Sequence, residues 1–212
     1  MNTKINSDIV IETQRLNLRF LRPDDVDDLS EYQSHPEIVR YIPWPERTRE
    51  QVEEALQKTI TTGARELKNT GDFFVLAWEL KDLSERQSSE SSKNARTVAT
   101  KGYRPGKVIG QSNMSLRSTN DQLSDIGWVT HQDFQRQGFA FEATHALMRY
   151  AFENFPLHRI VADIDTRNPE SAALAEKLGM RREGEFKDAE LFKGAWCDMW
   201  LYAILKEEFE ER

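Results

Sequence analysis

The period of the apolar residues changes several times along the chain, and each change predicts an element. Residues 15–21, RLNLRFL, alternate as a half-buried strand does. After Pro23 the stripe is sparse: Val26, Leu29 and Tyr32. This predicts a short helix ending before Pro36, with Asp24, Asp25, Asp27 and Asp28 as solvated acids at its positive end. Residues 36–47, PEIVRYIPWPER, predict a loop, because prolines interrupt any period there. Thr48, with Gln51 three residues on, reads as a capping box. It opens a helix whose buried stripe is Val52, Ala55, Leu56, Thr59 and Ile60. Strand patterns return at 72–80 and 108–116. Between them, 81–107 is rich in Ser and charge and predicts a flexible hairpin insertion within one domain.

The second half is denser. A strand is predicted over about 124–130, then a small turn, then a helix to about 154. The helix's buried face reads Phe139, Ala143, Ala146, Leu147, Tyr150 and Ala151. RIVADIDT at 159–166 is another strand. Asn168 as N-cap, Pro169 at the first helical position and Gly179 just past the end bound a short helix. Strands near 181–192 and 196–205 follow, then a charged tail, KEEFEER. The order β-α-α-β-β-β-α-β-α-β-β implies an α/β (α+β) domain over 1–212 with a mixed, largely antiparallel sheet.

Charge narrows the function. Lys and Arg number 29 against 36 Asp and Glu, a net −7, which disfavours general nucleic-acid binding. With a single cysteine, Cys197, the chain can form no intrachain disulfide, and no zinc-ligand spacing appears, so no metal is expected. Cys197, in WCDMWLYAIL, reads as a buried inert thiol. MNTKINSDIV lacks a signal-peptide core and no apolar stretch is long enough to span a membrane, so a cytoplasmic location is expected.

The candidate chemistry lies in the turn HQDFQRQGFAFEA, where Gln135, Gly138 and Ala140 form a Q-x-x-G-x-A spacing. A tight turn before a helix converges several N–H groups on one point and can hold a phosphate. An ordinary strand-to-helix turn explains the same residues, as plain N-capping explains Asn168 and Ser171. A P-loop nucleotide site is disfavoured, since QRQGFA has neither its Lys nor a following Ser or Thr.

Taken together, IETQRLNLRFLRPDD, DIGWVTHQDFQRQGFAFEA, HRIVADIDTRNPESAALAEKLGMRREGEF and WCDMWLYAILKEEF resemble the GNAT family of acyl-CoA-dependent N-acetyltransferases. The resemblance is greatest to its RimJ/RimL-type branch, which includes ribosomal-protein N-terminal acetyltransferases. It implies a GNAT fold: about seven strands, helices on both faces, and the fourth and fifth strands, 124–130 and 159–166, splayed for CoA. Acetyl-CoA would be the cosubstrate. Gln135, Arg136, Gln137, Gly138, Phe139 and Ala140 would hold its pyrophosphate. Its pantetheine arm would lie along Trp128, Val129 and Thr130 like an added strand. Gly127 would mark a bulge that begins the splay, and Asn168 would reach the arm.

The acceptor implied is a primary amine, on a peptide or protein N-terminus or a small molecule, attacking directly in a ternary complex. Asp125 is the candidate base, directly or through water, while His131 borders the turn and Glu142 supports it. The position where many family members carry an acidic Tyr is Ala175, which leaves Ser171 as a substitute. That departure keeps open a non-catalytic acyl-CoA sensor or scaffold. Acceptor walls are sought at Arg40, Tyr41, Ile42 and Trp44, and in FKDAELFKGAW, where Asp188 and Glu190 can meet a cationic amine. The resemblance allows a homodimer.

Overall fold

A computed structural model describes residues 11–82 and 104–211. Eight strands form one sheet: β1 (Ile11–Glu12), β2 (Leu16–Phe20), β3 (Phe73–Leu80), β4 (Val108–Ser118), β5 (Leu123–Thr130), β6 (Arg159–Asp165), β7 (Arg181–Phe192) and β8 (Ala195–Leu205). Their spatial order is β1-β2-β3-β4-β5-β6-β8-β7, and only β5 and β6 run parallel. The strand beyond the expected seven is β1, whose two residues are too few to show a period. The insertion at 81–107 lies almost wholly outside the described residues, although the antiparallel pairing of β3 with β4 makes its ends those of a hairpin.

Alternation along the strands sends side chains to two cores, one on each face. Leu76, Trp78 and Leu80 of β3 join a cluster with α4 (Phe139–Asn154) and α5 (Pro169–Lys177). Ala77 points the other way, into a cluster with α1 (Val26–Gln33) and α3 (Arg49–Thr62). The Thr48–Gln51 capping box at the start of α3 forms as expected. On α4 the buried face is Phe139, Ala143, Thr144, Leu147, Met148, Ala151 and Phe152. It is rotated from the expected stripe, leaving Ala146 and Tyr150 half-buried, because the helix also packs toward α5.

Three local expectations change. A one-turn helix, α2 (Pro36–Val39), forms within the predicted loop, with proline at its first position. The terminal tail folds into α6 (Lys206–Glu210), seated by buried Phe209 and by Glu208 accepting the Leu205 N–H at 2.8 Å. Asp25 and Asp28 are buried rather than solvated. Asp25 pairs with buried Arg19 through two bonds of 2.8 and 2.9 Å, and Arg19 also reaches Glu79 at 2.5 Å. Asp28 accepts the Val108 N–H at 2.8 Å beside Arg104 and Lys107. A buried carboxylate persists only when so paired; Arg19 is six residues from Asp25, but Glu79 and the partners of Asp28 are brought in from far along the chain.

Candidate active site

The parallel neighbours β5 and β6 are joined only at their N-terminal ends. Pairing runs from Leu123↔Arg159 to Asp125↔Val161 and stops, although β5 continues to Thr130 and β6 to Asp165. Beyond Asp125, β5 pairs with no strand but β4 among the described residues, which leaves one edge of its backbone for another extended chain, although Gln135 Nε2 donates to the Thr130 carbonyl at 3.3 Å. Arg117 of β4 reaches over the root of this opening. Its Nε donates to Asp125 Oδ1 at 3.0 Å, and its Nη2 donates to Asp163 of β6. Ser115 Oγ also donates to Asp125 Oδ1, at 2.5 Å.

Gly127 is not a bulge: the ladder runs without a break through Met114↔Ile126, Asn113↔Gly127 and Ser112↔Trp128. A Cβ there would stand 2.5 Å from Asn113 Oδ1, so any other residue would displace that exposed side chain. Asn113 thus lies over the backbone at the start of the opening.

At the far end of β5 the chain turns through residues 131–138 into α4. Arg136 and Gly138 hold the left-handed conformation, with φ of 58° and 83°. Gly138 is the N-cap of α4 and brings no side chain to cap it. Within the turn the Phe134 and Gln135 N–H groups bond the His131 and Gln132 carbonyls, and the first bond of α4 is Glu142 N–H to the Gly138 carbonyl at 3.0 Å, so the N–H groups at the helix start have no intrahelical acceptor. A small, left-handed, uncapped helix start is suited to an anion.

The side chain that fixes this turn was not singled out from the sequence. Arg15 donates to the Gln137 carbonyl at 2.9 Å and to Glu142 Oε2 at 2.6 Å, and its guanidinium lies 4.0 Å from the Phe139 ring centroid. Thr13 Oγ1 and the Arg15 N–H both bond Glu142 Oε1 at 2.6 Å. Glu142 therefore ties α4 to the N-terminal strands, the supporting role expected of it. Its signal in the sequence was only a Thr-x-Arg ahead of β2, legible once the partner is known.

His131 is displaced from any role as base. It is buried, its Nε2 lies 3.0 Å from Glu31 Oε2, and its Nδ1 accepts the Asp133 N–H at 3.2 Å. Burial pushes the Glu31 carboxyl up, but hydrogen bonds from Lys107 and His131 outweigh it and leave Glu31 below its ordinary value. Cys197 is buried, with Arg167 Nη2 2.9 Å from its sulfur, in keeping with a packed rather than a reacting thiol.

A cavity of about 540 Å3 extends from the opening between β5 and β6 toward α1 and α3. It brings together Asp125, Trp128, Val129, Asn168 and Ser171 on one side and Tyr41, Trp44 and Glu190 on the other. Asn168 is an N-cap, its Oδ1 accepting the Ser171 N–H at 3.1 Å, which leaves its amide nitrogen available to a ligand. Thr130 and the turn 135–140 lie outside this cavity, further along β5 and into α4. Arg40 and Asp188 do not line it either. Ala175 is fully buried, facing the core rather than the cleft. The β7–β8 hairpin closes over the cavity, with Lys193 Nζ donating to the Val39 carbonyl at 2.7 Å.

An open mixed sheet, a parallel pair that parts after Asp125 and a glycine-capped helix beyond it form one continuous opening along β5. Residues 15–181 match the acetyltransferase (GNAT) domain family. The chain belongs to that family. It is 27% identical over 197 residues to p20 of Bacillus licheniformis, an N-acetyltransferase of uncharacterised specificity, covering 93% of this chain and 96% of that one. Two other relatives are matched over about half their length. YnaD of Bacillus subtilis is 42% identical over 85 residues, 40% of this chain and 50% of that one. The ribosomal protein uS5-alanine N-acetyltransferase of Escherichia coli is 37% identical over 99 residues, 46% of this chain and 51% of that one. A GNAT acetyltransferase from Bacillus anthracis superposes with a TM-score of 0.73 at 26% identity, covering 94% and 99% of the two chains. RimL, the ribosomal L7/L12 acetyltransferase solved with coenzyme A, superposes at 0.70 and 18% identity, covering 93% and 98%. Among the described residues, no helix is long and apolar enough to cross a membrane.

Proposed function

We propose that the protein transfers the acetyl group of acetyl-CoA to a primary amine, on a peptide or protein N-terminus or a small molecule. The observation that carries this is the parting of β5 from β6 after Asp125, with the Gly138-capped start of α4 beyond it. The edge of β5 left without a strand partner at Trp128, Val129 and Thr130 takes the pantetheine amides as a further strand takes its partner, the Gln135 side chain giving up the Thr130 carbonyl. The turn from Gln135 to Ala140 takes the pyrophosphate through backbone N–H groups, with Arg136 adding charge. Asn168 reaches the arm from the opposite wall.

The acetyl carbonyl then lies beside Gly127 and Trp128, where a backbone N–H stabilises the charge that develops on its oxygen. The neutral amine attacks the carbonyl carbon as the C–S bond breaks. Asp125, directly or through water, receives the amine's proton, and Ser171 donates a hydrogen bond to the departing sulfur. Tyr41 and Trp44 bound the acceptor. Full-length relatives carrying N-acetyltransferase names favour this reading over a scaffold that binds acyl-CoA without turnover.

The test is release of free CoA thiol from acetyl-CoA against peptide N-termini, amino acids, polyamines and aminoglycosides. Thiol release dependent on one amine class establishes the reaction. CoA binding without release across the panel removes it and restores the scaffold reading.

A further inference from the structure

Two side chains on the acceptor side of the cavity are incompletely matched: Arg47 has no counter-ion and Trp44 no hydrogen-bond acceptor among the described residues. Arg47 lines the cavity, and its only charged or polar side-chain partner among the described residues is Gln33, whose Oε1 accepts from Nη1 at 2.8 Å. No carboxylate comes within ion-pair distance of Arg47 among the described residues. Arg117, the other arginine of the cavity, has two carboxylates instead. Burial pushes the Arg47 guanidinium below its ordinary value, the sign of a cation taken from water without an anion to replace it. Trp44 lies against it, with its ring centroid 4.7 Å from the guanidinium carbon, and the buried indole N–H has no partner. A buried donor with no acceptor is costly, and Trp44 and Arg47 both line the cavity.

The mount is rigid. Gln33 is buried, its amide donates to Gln111 Oε1 at 3.4 Å, and the Arg47 N–H bonds the Gln33 carbonyl at 3.2 Å. Gln111 pairs with Val129 and Asn113 with Gly127, so Arg47 is anchored over the row two residues from Gly127. Two strand residues span roughly 7 Å, the length of a small molecule. The floor between is apolar, built from Leu21, Leu56, Phe73 and Val75.

We infer that Arg47 and Trp44 form an anion subsite, and that the acceptor is an amine whose apolar body carries a carboxylate or phosphate group. Resting on acetyl transfer as the reaction of this cleft, the inference concerns only the acceptor half. The anion accepts from the guanidinium and the indole N–H, and the amine projects toward Gly127 and Asp125.

The probes carry no amine, so binding is read without turnover. Calorimetry on the CoA-saturated protein compares 3-phenylpropionate, its neutral amide and 2-phenylethylphosphonate. CoA binding, measured first, tests the reaction site separately. At least one anion should bind about tenfold or more tightly than the amide, since a charge-assisted pair is lost with the amide. The preference should vanish in Arg47→Gln and persist in Arg47→Lys. The tighter of the two acids tells carboxylate from phosphate. Equal binding of acids and amide by the wild type, no binding of either acid at millimolar concentration, or a preference that survives Arg47→Gln overturns the subsite. The wild-type comparison decides the matter even where a variant does not fold.

Discussion

Replacing Gly138 with valine tests the turn on which CoA binding is proposed to depend. Its φ of 83° is left-handed, and the helix begins there. An L residue in that region costs about 1–2 kcal/mol, and a β-branched one more. A Cβ would stand 3.4 Å from Arg15 Nη2, an ordinary contact, so the cost lies in the backbone conformation and not in crowding. A destabilisation of about 2 kcal/mol lowers Tm by roughly 4–8 °C in a chain of this size and leaves the fold intact. The effect on CoA is larger than on the fold. Each backbone N–H to phosphate bond contributes about 1.5–3 kcal/mol, so a turn that relaxes to negative φ and loses one bond raises Kd by about 10- to 100-fold. Asparagine, which tolerates the left-handed region, should fall between glycine and valine. Calorimetric titration with CoA, beside a thermal melt, makes the measurement. A folded Gly138→Val protein that binds CoA within twofold of wild type refutes the assignment of the phosphates to this turn.

Ser171→Ala should lower kcat by about tenfold or more and leave the KM for acetyl-CoA within twofold; an unchanged rate takes Ser171 out of the mechanism. Ala175→Tyr, which restores the residue common in relatives by resemblance, should not speed the reaction. Ala175 is fully buried, so the ring overpacks the core at a cost of about 1–3 kcal/mol or more, visible as a lowered Tm. A faster enzyme of undiminished Tm contradicts the placement of α5. Glu31 is held below its ordinary carboxyl value in the fold. Its contribution to stability is therefore present above the unfolded value and is lost as pH falls through the folded one. Glu31→Gln should flatten the acid side of a Tm-against-pH curve and leave CoA affinity unchanged; an acid slope like that of wild type removes this carboxylate from the balance.

The sequence by itself determined the elements whose signals are local. Alternation located seven strands, the Thr48–Gln51 box and the Asn168-Pro169 start placed two helix N-termini, and Gly138 marked the turn before α4. Each rests on residues within a few positions of one another, where backbone preference and periodicity act. Tertiary structure decided the rest. Whether Asp28 was a solvated cap or a buried anion depended on Val108, which the chain brings in from far away, and Asp25 depended on which way nearby Arg19 turned, a choice shared with distant Glu79. The side chain lying over Gly127 came from the neighbouring strand, and the clamp on the turn before α4 from Arg15, more than a hundred residues earlier. Arg47 looked like one more charged loop residue until the fold half-buried it against the cavity and brought no carboxylate within ion-pair distance among the described residues. Charge and hydrogen-bond partners are chosen by through-space proximity, and a one-dimensional pattern records only the residues that must satisfy them.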